Sequence, residues 1–171
     1  EYGKRLVDYG GLTVYTSLDL QLQQKVEQIV KQKIHENEYL NLTNGAAIVL
    51  DPINSNVLAY VGSVDYFKDQ WGAFDIIQSN RQPGSSIKPV TYALALQDKY
   101  TPASILYDTK LSVPQTGGPN YEPVNYDLKF RGPVTVRSAL ANSYNIPPVK
   151  LAMELGPDNI VDLANKMGLK D

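Results

Sequence analysis

The sequence predicts an α+β fold, and three observations carry that expectation. Two apolar runs, 46–50 and 57–62, flank a turn-forming segment and read as a hairpin. A run of apolar residues at helical spacing precedes them, at 22–34. After residue 84, prolines and glycines punctuate stretches of helix formers. The expected order is strand, helix, hairpin, then helices only. A two-stranded hairpin is rarely stable alone, so the sheet needs more strands than these.

Taken in order, Gly11-Leu12-Thr13-Val14-Tyr15-Thr16 alternates apolar and polar residues, as a short half-buried strand does. Thr16-Ser17-Leu18-Asp19 fits a capping box with Thr16 as the cap. Leu22, Val26, Ile29, Val30 and Ile34 then make 18–38 an amphipathic helix, with His35 near its polar end as a solvated residue. Asn44-Gly45 ends it. Ala46-Ala47-Ile48-Val49-Leu50 is the first hairpin strand, Asp51 to Asn56 the turn, and Val57 to Gly62 the second strand. Residues 63–80 have no period and read as a loop, pinned to the body by Trp71 and Phe74.

Arg81-Gln82-Pro83-Gly84-Ser85-Ser86-Ile87-Lys88-Pro89 stops the chain and opens a helix that runs on through Tyr92-Ala93-Leu94-Ala95-Leu96. Pro89 is tolerated in a first turn, whose N–H groups have no intrahelical partner. Residues 99–130 are rich in Pro, Gly, Tyr and Asn and read as a long loop. Its Thr116-Gly117-Gly118 follows Gln115 rather than a lysine and carries no motif. Gly132-Pro133-Val134-Thr135 starts another helix, Val136–Ala141, with Thr135 as N-cap. Pro147-Pro148 stops that segment at Ser143-Tyr144-Asn145 and seeds a helix over 148–155, ended by Gly156. A last short helix spans Pro157 to Met167, closed by Gly168.

The 171 residues suffice for one ordinary domain with a core. Sixteen basic and eighteen acidic residues are mixed along the chain, so no basic stripe recommends a nucleic-acid partner. With no cysteine, disulfides and thiolate metal sites are unavailable, and no cofactor is expected. No apolar run approaches the roughly 20 residues that span a bilayer. Glu1 is not a natural start, and a piece of a longer chain is expected. Twelve tyrosines point to a lined groove or a covered surface.

The chemistry-bearing pattern is Ser85-x-x-Lys88. Residues i and i+3 share a helix face, which sets an amine beside a hydroxyl at a helix N-terminus. A nucleophile beside a base is the minimum for covalent acyl transfer. A chain of this composition holds about one such match by chance, so context decides. Only Ser85 of the ten serines has a lysine three residues on, with a Pro-Gly turn before it. The bland alternative is a capping serine and a solvated lysine. Ser143-x-Asn145 lies at a break between helices. Its hydroxyl can relay a proton, and its amide can both donate to and accept from a peptide group. Alone it reads as an ordinary helix end.

Ser-x-x-Lys, Ser-x-Asn and Lys-Thr-Gly together form the active-site set of penicillin-binding proteins and class A β-lactamases. Gln82-Pro83-Gly84-Ser85-Ser86-Ile87-Lys88-Pro89 resembles the serine box of the transpeptidase domain of class A penicillin-binding proteins. Asn125-Tyr126-Asp127, Gly132 to Leu140, Ser143-Tyr144-Asn145-Ile146-Pro147 and Val149-Lys150 resemble that family's second block. Residues 11–19 resemble its interdomain linker, and 51–62 its first hairpin. The resemblance covers nearly the whole chain. It implies the penicillin-binding, serine β-lactamase-like fold: an antiparallel sheet flanked by helices, plus an all-helical lobe. Residues 1–44 would be linker and first helix, and 45–171 the N-terminal part of the transpeptidase domain.

The resemblance further implies a peptidoglycan D,D-transpeptidase on the extracytoplasmic face of the bacterial cell membrane. Ser85 would attack the penultimate D-Ala carbonyl of a stem peptide, and Lys88 would take its proton. Ser143 would pass a proton towards the leaving D-Ala, and Asn145 would hold the substrate amide. Which group is the acylation base is disputed in related enzymes. β-Lactams would acylate Ser85 as covalent inhibitors. The family's Lys-Thr-Gly or Lys-Ser-Gly motif is not among these residues. The expected partner is therefore a second chain carrying the remaining strands and the second oxyanion donor, as after a nick. A D,D-carboxypeptidase, a β-lactamase and a silent scaffold of the same fold remain as alternatives.

Overall fold

The computed structural model describes residues 3–68 and 71–169. The chain divides into two compact units, Glu1–Asn80 and Arg81–Asp171.

In the first unit, α1 (Lys4–Tyr9) buries nothing, and α2 (Leu20–Glu36) carries the packing face. Val26, Val30 and Ile34 are its buried residues, at the expected spacing. They meet Ala59 and Val61 of a hairpin made of β1 (Ala47–Leu50) and β2 (Val57–Val61). Each such side chain contributes about 1.5–3 kcal/mol when fully buried. The strands pair antiparallel, Ala47 opposite Val61, with a register shift between Val49 and Leu50. The other face of β1 leaves Ile48 and Leu50 42% and 50% exposed.

Two expectations fail at the start of α2. Residues 11–16 form no strand, and Leu12, Val14 and Tyr15 are exposed. Alternation alone makes no ladder without a partner, and the chain first reaches β2 at Ser17 and Asp19. There Ser17 Oγ donates to the Val57 carbonyl at 2.7 Å, and the Asp19 N–H donates to that of Leu58 at 2.9 Å. The cap is Asp19, not Thr16: its carboxylate accepts from the Leu22 N–H at 3.0 Å. His35 is exposed, as expected, beside Glu38 at 3.6 Å.

The loop after β2 is tied down by polar groups. Asn44 Oδ1 accepts from the N–H groups of Gly45 and Val64, both at 2.8 Å. The Asp75 carboxylate accepts from the Tyr60 hydroxyl and Gln78 Nε2, both at 2.7 Å. The Tyr60 hydrogen bond holds the Asp75 carboxyl below its ordinary range. Trp71 and Phe74 meet edge to face and are 59% and 41% exposed.

The second unit opens with a 3₁₀ turn, Gly84–Ile87, that runs into α3 (Lys88–Asp98) with Pro89 in the first turn. The stretch 99–130 is not all loop. It contains β3 (Ile105–Asp108), which pairs antiparallel with β4 (Gly132–Thr135), Ile105 opposite Thr135. The order "hairpin, then helices only" is thereby corrected. The partners are separated by a long excursion, and Gly132 and Pro133 disguise β4 as a turn. Thr135 caps α4 (Val136–Ala141) as expected, accepting from the Ser138 N–H at 3.1 Å. α5 (Ile146–Leu155) and α6 (Pro157–Lys166) follow, joined at Gly156, whose φ of +86° suits glycine.

Tyr92, Ala95, Leu106, Val136, Ala139 and Leu151 form this unit's main core. Four elements, α3, β3, α4 and α5, converge on it. Val90, Ile160 and Ala164 seal α6 against α3. Both ends of the candidate site thus rest on one packed body.

Candidate active site

The turn between α4 and α5 is built against local preference. The Tyr144 N–H donates to the Ala139 carbonyl at 3.1 Å, and the Ser143 N–H to that of Leu140 at 3.0 Å. This pair of bonds is a Schellman motif, with Ser143 in the left-handed position that glycine usually takes. Its φ is +52°. A side chain there costs about 1–2 kcal/mol. The hydrophobic contact that accompanies the motif is also present, Tyr144 packing on the core cluster that contains Ala139.

Asn145 is the N-cap residue of α5, yet its side chain caps nothing. A cap accepts from the second or third N–H of a helix. Those positions are Pro147 and Pro148, which have no N–H. The two prolines release the Asn145 amide for other partners. Its Oδ1 accepts from Lys88 Nζ at 2.7 Å, and its Nδ2 donates to the Val124 carbonyl at 2.7 Å.

Lys88 comes from the first turn of α3 and is buried, at 8% exposure. Besides Asn145, its Nζ donates to the Ser143 carbonyl at 2.6 Å and to Ser143 Oγ at 3.0 Å. Three acceptors match the three N–H bonds of an ammonium group. Burial nonetheless pulls the Lys88 pKa below the ordinary lysine value, because the charged form loses hydration. A buried amine with a depressed pKa beside reversible acceptors is equipped to exchange a proton.

Ser85 sits in the 3₁₀ turn, one turn before Lys88, and is exposed. It caps neither that turn nor α3, which removes the capping alternative. Among the described residues its hydroxyl makes no hydrogen bond, including none to Lys88. The Lys88 N–H bonds are all spent on Ser143 and Asn145. The Ser85 N–H likewise has no acceptor among the described residues, because the 3₁₀ ladder begins one residue later, from Ser86 to the Pro83 carbonyl at 3.0 Å. Ser85, Lys88 and Asn145 line one cleft of about 650 Å³, walled on its other sides by Tyr121–Val124 and by Pro148, Val149 and Ala152. The structure thus gathers Lys88, Ser143 and Asn145 into direct contact and sets Ser85 on the same cleft.

Two residues behind this cluster had no role in the sequence reading. Asn125 is 3% exposed, and its Oδ1 accepts from the Asn145 N–H at 2.7 Å. Its amide nitrogen lies 2.9 Å from both carboxylate oxygens of Asp108. Asp108 is fully buried at the end of β3. An Asn-Tyr-Asp triplet was visible, but the pairing depends on β3, which was not. Among the described residues no cluster of His, Asp and Glu could hold a metal ion.

Comparison with known proteins follows the same lines. Residues 45–171 match the family model described as penicillin binding protein transpeptidase domain. Penicillin-binding protein 1B of Vibrio cholerae is 37% identical over 166 residues, 93% of this chain. A crystal structure of penicillin-binding protein 1A from Haemophilus influenzae superposes with a TM-score of 0.67 at 32% identity, over 74% of this chain and 19% of that one. The PonA1 protein of Mycobacterium tuberculosis, solved in complex with penicillin V, superposes with a TM-score of 0.72 at 26% identity, over 96% of this chain and 41% of that one. The chain spans about a fifth of the length of the curated relatives it matches, 16% and 21% of two of them.

Proposed function

The chain belongs to the penicillin-binding transpeptidase family, alongside class A members, and from that premise we propose that it forms part of a peptidoglycan D,D-transpeptidase acting through an acyl-enzyme on Ser85. The observation that carries this reading is the Lys88 amine, buried in contact with Ser143 and Asn145 on the cleft that Ser85 lines.

In the proposed reaction Ser85 Oγ attacks the penultimate D-Ala carbonyl of a stem peptide. Lys88 takes the hydroxyl proton in its neutral form. A neutral amine has two N–H bonds and a lone pair, so one of its three contacts must be released to leave the lone pair for the Ser85 proton. The contact to Ser143 Oγ is the longest of the three, 3.0 Å, and once Lys88 is protonated that hydroxyl can accept from the ammonium while donating to the leaving amine. Ser143 is therefore the natural relay from Lys88 to the departing D-Ala amine. General base catalysis of this kind contributes typically about 10²–10⁴-fold.

The oxyanion needs preorganised donors, each worth about 10²–10³-fold. The unengaged Ser85 N–H supplies one, and a strand carrying Lys-Thr-Gly or Lys-Ser-Gly outside these residues would supply the other. Asn145 Nδ2 would leave the Val124 carbonyl for the substrate carbonyl. The acyl-enzyme then passes to an acceptor amine of a second stem peptide, which forms the cross-link. A β-lactam carbonyl would enter the same path and remain as an ester on Ser85. The active site would lie on the extracytoplasmic side of the cell membrane. Among the described residues no helix is long and apolar enough to cross one.

The test is covalent labelling of the full-length protein with a fluorescent penicillin. One label per chain on the Ser85 peptide, absent in Ser85→Ala, is expected. Label retained by Ser85→Ala overturns the proposal. Slow loss of label is expected of a transpeptidase, whereas rapid turnover points to a β-lactamase.

A further inference from the structure

We propose that residues 125–131 act as a strap that positions the Ser143–Asn145 turn on Lys88, with Asn125 as the positioning residue. The inference rests on the functional reading above and adds the residues that hold its geometry.

The turn needs an external hold. Ser143 is in a conformation that its side chain disfavours, and the α5 N-terminus has no side-chain cap to fix the entry of the chain. The strap supplies two holds, one on the Asn145 backbone and one on the Tyr144 ring. Asn125 Oδ1 takes the Asn145 backbone N–H at 2.7 Å. The Arg131 guanidinium stacks over the Tyr144 ring, 4.7 Å from its centre.

The strap is itself tied down at both ends. Asn125 Nδ2 donates to the fully buried Asp108 carboxylate and to the Lys129 carbonyl, at 2.9 Å and 2.7 Å. The Arg131 N–H donates to the same Asp108 carboxylate at 3.0 Å. One buried side chain on β3 therefore fixes both ends. In between, Arg131 grips the Asp127 carboxylate with both guanidinium nitrogens, which holds that carboxyl down to about 2. Leu128 turns the loop with a φ of +60°.

These bonds point at the turn rather than at the cleft. Asn125 touches the backbone of Asn145, and the Asn145 side chain touches Lys88. Loss of Asn125 lets Asn145 move while every group in contact with substrate stays present. A misplacement near 1 Å in a catalytic group can cost about 100-fold.

The experiment measures the second-order rate of acylation of the full-length protein by a fluorescent penicillin. The variants are Asn125→Ala, Asn145→Ala, the double variant, and Ile160→Ala as a stability control in α6. Asn125→Ala is expected to acylate about 10- to 100-fold more slowly. Combined with Asn145→Ala it should add much less than that factor, because both act on the Lys88 contact. Ile160→Ala, compared at equal loss in melting temperature, should acylate at the parent rate. The strap is overturned by an Asn125→Ala rate within twofold of the parent, by an equal slowing in Ile160→Ala, or by full additivity. Should Asn125→Ala not accumulate as folded protein, Arg131→Ala replaces it, with at least threefold slowing and the same non-additivity required. Ser85→Ala is run alongside. If it still takes label, the functional reading fails before the strap is judged.

Discussion

α2 and α5 begin with the same kind of residue, and only one of them uses it locally. Asp19 accepts from the third N–H of α2, as a cap does. Asn145 occupies the equivalent place in α5 and turns away, to Lys88 and the Val124 carbonyl. The difference is written in the next residues. α2 continues with Leu20, Gln21 and Leu22, which need a cap, and α5 with Ile146, Pro147 and Pro148, of which two have no N–H to be capped. A helix start can be made self-sufficient so that its first polar side chain serves something else.

The comparison can be broken in four ways, from the largest expected effect to the smallest. Lys88→Met removes the group for which Asn145 is freed. Acylation in the full-length protein should fall about 10²–10⁴-fold. In the parent the rate should rise with pH along a limb centred below the ordinary lysine value of 10.5, because burial favours the neutral amine that accepts the proton. That limb should vanish in Lys88→Met. A limb that survives would assign the base elsewhere.

Asn145→Ala and Asp19→Ala form a crossed pair. The first should slow acylation about 10²-fold, as loss of a placed amide does, with little change in melting temperature. The second should cost about 1 kcal/mol of stability and leave the acylation rate alone. Equal stability costs would show that Asn145 caps after all.

Ser143→Gly tests the neighbouring strained residue. Glycine relieves the left-handed strain but adds disorder to the unfolded chain, so stability should hold or rise by up to about 1 kcal/mol. Acylation should nevertheless fall roughly tenfold or more with the relay hydroxyl gone. A less stable Ser143→Gly protein would mean that the hydroxyl braces the turn.

Pro148→Ala restores the third N–H of α5. It should then compete for Asn145 Oδ1 by about 0.5–1 kcal/mol and slow acylation roughly two- to fivefold. An unchanged rate would remove the prolines from the account.

The parts of this molecule legible in its sequence are those governed by neighbours in sequence. The β1–β2 hairpin, the Thr135 cap, the end of α5 and the span of α6 follow from turn residues and periodicity, whereas α5 starts at Ile146, two residues before the expected 148. The failures are of pairing. Residues 11–16 alternate like a strand but find no partner, whereas Ile105–Asp108 looks like loop and is a strand because Gly132–Thr135 meets it. Ser85, Lys88, Ser143 and Asn145 were singled out by motif and by resemblance, not by geometry. That Lys88 reaches across 57 residues to Asn145, and not to Ser85, is visible only in three dimensions. Asp108 and Asn125 escaped because their value comes from a burial that composition does not report.

The Asn145 amide is held by a buried side chain, and the Ser85 amide by nothing among the described residues. In deuterated buffer these two backbone sites should therefore exchange on different clocks, with position 145 lagging far behind position 85. Formation of an ester on the serine would bring its N–H against an oxygen and slow it in turn. The pair is thus a built-in reporter, readable by mass spectrometry without any chromogenic drug.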